Sequence, residues 1–154
     1  MDNINSMPDQ KYIFGGVQVV ANQMDTLLER ELKEHNLTTK QWLLTIVVQN
    51  IFDHDPTIKE VAKGMGSSHQ NVKQVALKLE QKGFVVMEKD PNDARITRIK
   101  LTDAIDSFGK ESQKKSELFT EKLFDGITAE ELAMTRSALE KLLINLEKMD
   151  QESK

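Results

Sequence analysis

The side chains that could do chemistry cluster in the middle third of the chain. Between positions 67 and 78, amides and amines recur as Gln70, Asn71, Lys73, Gln74 and Lys78. Gln and Asn can bond the N6 and N7 edge of adenine through two hydrogen bonds, and Lys can reach guanine or a phosphate. Ser67, Ser68 and His69 precede them, where the first backbone amides of a helix favour a phosphate. A second group, Lys89, Asp93, Arg95 and Arg98, sets a carboxylate two residues before a guanidinium, so Asp93 and Arg95 can form a bidentate pair. A third, Asp53, His54 and Asp55, lacks the three or four convergent ligands of a metal centre and reads as an exposed loop, with no metal expected. The chain has no Cys, which removes disulfides, thiolate nucleophiles and thiolate metal sites. Without a nucleotide-binding glycine loop or a His and carboxylate constellation, no catalytic residue and no cofactor is assigned, and an enzyme is not expected.

Charge supports the same emphasis. The 154 residues include 21 basic and 25 acidic side chains, a net charge of -4. Residues 1–56 hold 4 basic and 8 acidic, residues 57–101 hold 9 and 5, and residues 102–154 hold 8 and 12, so the blocks carry -4, +4 and -4. A basic centre between acidic flanks is a footprint for a polyanion, whose counterions are released on binding. With 38% hydrophobic and 30% charged residues, the composition suits a helical protein with wide solvated faces. The polar stretch Met1–Lys11 has no basic and apolar signal pattern, and the longest apolar patch, 42–48, is far short of the roughly 20 residues of a membrane span. A soluble cytoplasmic protein is expected.

The elements that must position these residues are punctuated by capping boxes, in which a Ser or Thr and a Glu or Gln three residues on satisfy each other's backbone amides. The pattern occurs at Thr38 with Gln41, Thr57 with Glu60, Ser67 with Gln70, and Thr128 with Glu131. Helical spacing predicts a long helix over about 10–34, with a stripe of Ile13, Val17, Val20, Met24, Leu27, Leu28 and Leu32, and a second from 38 to 52. A short helix follows over 58–63, then a turn at Gly64, Met65 and Gly66, then a helix over 67–82 ended by Gly83. That helix should bury Val72, Val75, Ala76 and Leu79 and present Gln70, Lys73, Gln74 and Leu77. The period then changes to two, predicting strands over 84–89 and 95–101 around a turn at 90–93. Two long helices, from 102 and over 129–149, close the chain.

Helix, glycine turn, helix and hairpin make a winged helix-turn-helix, whose second helix enters the major groove. At this point the sequence resembles the MarR family of transcriptional regulators. The residues that carry the likeness are Leu79, Glu80, Gly83, Phe84 and Val85, then Asp90, Pro91, Asp93 and Arg95, then Leu101 and Thr102. The fold class expected is mainly α with a small β-hairpin wing, one MarR-type domain. Residues 38–102 form its DNA-binding lobe, and helices 10–34 and 103–149 serve dimerisation. The resemblance implies a homodimer on a pseudo-palindromic double-stranded DNA operator, acting as a repressor relieved by a small aromatic or anionic ligand. The terminal stripes agree on dimerisation, being too long for a lobe of some 65 residues to cover alone.

Ser67, Ser68, His69, Gln70, Asn71, Lys73, Gln74, Lys78, Lys89, Asp93, Arg95 and Arg98 are the expected DNA-binding residues. The sequence departs from the family at the wing tip, where Asn92 and Ala94 stand in places that often hold Arg or Lys. Arg98 can meet a phosphate or simply face solvent. Tyr12, Phe14, Val17, Trp42, Ile46 and Phe108 are the candidates for a ligand cleft, or else plain core. A rival reading makes the winged domain an adaptor for a protein partner, since the fold serves both tasks.

Overall fold

The computed structural model describes residues 7–153, so the first six residues of the polar N-terminal stretch and Lys154 lie outside it. Helix α1 (Asp9–Leu32) leads through a 3₁₀ turn (Lys33–His35) to α2 (Thr39–Ile51), α3 (Ile58–Gly64) and α4 (His69–Gln81). The hairpin β1 (Val85–Lys89) and β2 (Thr97–Leu101) follows, then α5 (Asp103–Leu123) and α6 (Ala129–Glu152). This is a mainly helical winged helix-turn-helix fold with a two-stranded wing. The chain divides into two units, one reaching to Lys110 and one starting at Glu111.

Capping decides where these helices start. Thr38, Thr57 and Thr128 each accept from the amide three residues on and are answered by Gln41, Glu60 and Glu131, the complete reciprocal box. The box expected at Ser67 and Gln70 does not form. Ser68 is the N-cap instead, its Oγ accepting from the Asn71 amide at 3.2 Å. Ser67 is taken up by the end of α3, its amide donating to the Ala62 carbonyl at 2.9 Å while the Gly66 amide donates to Lys63 at 3.1 Å. That pair of bonds needs a left-handed residue at Gly66, which has φ +59°. Helix α4 ends the same way. Gly83, at φ +77°, donates to Glu80, and Phe84 donates to Leu79 at 3.0 Å.

The core of the first unit sits where α2, α3, α4 and the hairpin meet. Leu44, Val61, Val72, Ala76, Leu79, Val85 and Ile99 are all at most 1% exposed. Val75, expected to be buried with them, is half-buried. Gly64 has a packing reason of its own, because a Cβ there would come within 3.0 Å of Val47 Cγ1. The hairpin pairs Val85 with Leu101 through Lys89 with Thr97. Glu80 Oε1 accepts from the Met87 amide at 2.7 Å, and Thr102 Oγ1 donates to the Gly83 carbonyl at 2.6 Å. Glu80, Gly83 and Thr102 therefore hold the end of α4, the hairpin and the residue that leads into α5 in one arrangement.

The long helices leave much of their apolar stripes exposed. In α1 only Leu32 is buried, while Ile13, Val17, Val20 and Leu27 are exposed. Its expected end at Glu34 is cut back to Leu32 by the 3₁₀ turn, which closes on Asn36 at φ +54°. In the second unit α6 buries none of its 24 residues. Among the described residues no helix is long and apolar enough to cross a membrane.

Candidate nucleic-acid interface

Helix α4 is buried along Val72, Ala76 and Leu79, so helical geometry turns Gln70, Asn71, Lys73, Gln74 and Lys78 outward, and all five are exposed. Leu77 on the same side is half-buried. Between this helix, the first turn of α3 and the wing lies a cavity of about 360 Å³. Lys59, His69, Lys73, Lys89 and Arg95 line it with Ile96 and Thr57, and no Asp or Glu is among its lining residues. Four permanent cations around a concave surface focus positive potential there. Lys59 was not singled out from the sequence. Its signal was available, since a basic residue two positions after the N-cap Thr57 must stand on the first turn of the helix.

The wing turn is built by two carboxylates. Asp90 Oδ1 accepts from the Asn92 amide at 2.8 Å and the Asp93 amide at 3.2 Å, which folds the chain back on itself. These bonds, with help from Arg98, hold its carboxyl below the usual carboxylate range. Asp93 receives Arg95 in the bidentate geometry its spacing suggested, Nε to Oδ1 at 2.9 Å and Nη2 to Oδ2 at 2.8 Å. This pairing lowers the Asp93 carboxyl and raises the Arg95 guanidinium. The Arg95 side chain remains 91% exposed, so its charge is aimed without being enclosed. Lys89 Nζ donates to Thr97 Oγ1 at 3.2 Å. Arg98 is placed otherwise: its Nε donates to Asp90 Oδ2 at 2.5 Å and its Nη1 to the Asp55 carbonyl at 2.8 Å.

The six residues considered for a ligand cleft lie on α1, α2 and α5. Tyr12, Phe14 and Val17 are 56%, 77% and 42% exposed on α1. Trp42 and Phe108 pack against the core, and Phe108 sets its ring edgewise to His35 and to Phe84. Ile46 is half-buried. A recess of about 490 Å³ lies between the end of α1 and the end of α4, with Glu29, Arg30, Lys33, Leu37 and Lys82 in its lining. Lys82 Nζ donates there to the Asn36 carbonyl and to Gln41 Oε1.

No group of three or more potential metal ligands occurs among the described residues. Of the Asp53, His54 and Asp55 trio, His54 reaches Asp53 Oδ1 through Nδ1 at 2.9 Å and Glu60 Oε1 through Nε2 at 3.4 Å. Asp53 and Glu60 both raise the His54 pKa, Asp53 more strongly. A raised value means that the folded chain favours the imidazolium, so the interaction is fully present below the unfolded value of about 6.5 and is lost as pH rises through the folded one. The ring carbon and nitrogen resonances of His54 are expected to titrate above that value, and Asp53→Asn is expected to bring the midpoint down. A midpoint at or below the ordinary histidine value would show that the two carboxylates do not hold the ring.

No family model matches the chain. The transcriptional repressor MprA of Escherichia coli is 23% identical over 121 residues, which are 79% of this chain and 69% of MprA. The MarR protein of Peptoclostridium difficile superposes with a TM-score of 0.81 at 19% identity, over 97% of this chain and 95% of that one. The MepR–DNA complex of Staphylococcus aureus gives 0.75 at 18% identity, over 91% and 99%.

Proposed function

We propose that this chain, which has the winged-helix fold of the MarR-family regulators, is a DNA-binding transcriptional regulator that works as a homodimeric repressor. The observation that carries the reading is the acid-free cationic groove between α3, α4 and the wing, opening beside the amide and amine face of α4. In this reading Gln70, Asn71, Gln74 and Lys78 meet base edges, and Ser67, Ser68 and His69 meet a phosphate at the start of α4. Lys59, Lys73, Lys89 and Arg95 line the path of the sugar-phosphate backbone, with Asp93 orienting Arg95. MprA is itself a repressor, and MepR has been seen on DNA. Both support the same activity here. We infer that a small aromatic or anionic molecule releases the operator. The family resemblance supports this, and the recess lined by Arg30, Lys33 and Lys82, with Glu29 as its one carboxylate, keeps a net positive charge that suits an anion.

The test is fluorescence anisotropy against duplex DNA from upstream of the gene, beside a scrambled duplex, across a range of salt. Four groove cations in each of two lobes would neutralise about eight phosphates, so log affinity is expected to fall against log salt with a slope of about -7. Selective binding with that steepness supports the regulator. Equal weak binding to both duplexes, with little response to salt, would favour the protein-adaptor alternative. An effector, when added, must lower the affinity for the selective duplex.

A further inference from the structure

Arg98 shares the outer side of β2 with Lys100, where alternation offers a side chain to solvent or to a phosphate. Its guanidinium is instead spent within the protein. Nε bonds Asp90 in the wing turn, eight residues back, and Nη1 bonds the Asp55 carbonyl in the loop between α2 and α3. Its side chain is 33% exposed, against 91% for Arg95. The backbone follows the same route. Thr57 bridges to Arg98, and the Ile99 amide donates to the Pro56 carbonyl at 2.8 Å. Pro56 is buried, and Thr57 is the N-cap of α3. The wing is thus tied to the first residue of the helix-turn-helix as well as hung on its own two strands.

From this junction, and resting on the DNA-binding reading above, we propose that Arg98 is a positioning residue. It acts as a strut that sets the wing against α3 and α4, so that Lys89 and Arg95 meet the DNA backbone while α4 occupies the groove. A two-stranded ribbon is marginal by itself, so its outer turn needs an external anchor to hold one position. A charge-assisted fork supplies one, and the planar guanidinium reaches two acceptors on two different segments at once, which an ammonium at that place does not do. Asp90 divides its oxygens between the two tasks. Oδ1 folds the turn, and Oδ2 receives the strut.

That division separates the strut from a direct phosphate contact. Asp90→Asn keeps a carbonyl oxygen for the turn amides and removes the acceptor facing Arg98, with the guanidinium itself intact. A strut predicts that Asp90→Asn weakens selective binding about tenfold or more and flattens the salt slope at least as much as Arg95→Ala does, about two units for a dimer. In a chain already carrying Lys89→Ala and Arg95→Ala, adding Asp90→Asn is expected to cost nothing further, because the wing contacts are already gone. Affinity equal to or above the parent's would overturn the proposal, since it would mean that Asp90 restrains a cation able to contact DNA directly. An equal loss in both backgrounds would overturn it too, because the effect would then bypass the wing.

Amide hydrogen exchange gives a readout that needs no DNA. The amides of residue 90 and Ile96, which donate to the Ile96 and Asp93 carbonyls, are expected to exchange faster in Asp90→Asn and in Arg98→Ala, with those of α4 unchanged. Unaltered wing exchange would sink the strut by itself. Absence of selective binding by the unsubstituted chain would instead sink the DNA-binding reading.

Discussion

Leu79→Ala is expected to lower the stability of the winged lobe by roughly 2–5 kcal/mol, the range for emptying a fully buried leucine site. Leu79 is 0% exposed and belongs to the cluster that joins α2, α3, α4 and the hairpin. Its carbonyl also accepts the Phe84 amide that closes α4, so relaxation into the space is resisted by the turn leading to β1. Leu77, two residues earlier and half-buried on the outward side, supplies the internal comparison. Leu77→Ala removes a side chain of the same size, but no sealed cavity follows, and the cost is expected to be well under half as large. Urea denaturation at one protein concentration checks both, since dimerisation would otherwise shift the midpoint. Similar midpoints for the two variants would contradict the division of α4 into a buried and an outward face. That division orients the α4 residues assigned to the interface.

Local interactions were the legible part of this fold. Capping boxes join residues three apart, and three of the four sequence matches form with both bonds in place. The fourth fails by one residue for a physical reason: two adjacent serines compete, and the end of α3 takes Ser67 through its backbone, leaving Ser68 as the cap. The Asp93 and Arg95 pair was legible because its partners are two apart. Arg98 was not, because one of its partners is 43 residues away and strand alternation describes only which side a residue takes. Periodicity has the same limit on the long helices. It marks an apolar stripe in α1 without saying what covers it, and the chain itself leaves Ile13 and Val17 exposed. The cleft reading of Tyr12, Phe14 and Val17 has the same limit, as residue type gives no account of the opposite wall.

A face that the chain leaves uncovered should belong to a contact with another copy. In α6, Leu139, Leu142, Leu146 and Met149 follow at intervals of three, four and three, so they form one stripe, and each is between 43% and 60% exposed. A surface helix with this pattern normally turns its stripe to a core, yet α6 buries no residue at all. The double substitution Leu142→Glu and Leu146→Glu is therefore expected to produce a monomer at micromolar concentration, where the unsubstituted chain is expected to sediment as a dimer. In a monomer both side chains are solvated and the charges cost little. In a dimer they would carry two carboxylates per chain into an apolar seam, a penalty of several kcal/mol. DNA affinity is expected to fall with the dimer by a hundredfold or more, on the order of the avidity that linking two half-site contacts supplies. Circular dichroism would verify that α6 stays helical, because glutamate is among the better helix formers. A dimer that survives both glutamates would locate the subunit contact elsewhere, and the exposed stripe of α1 would be the next face to charge.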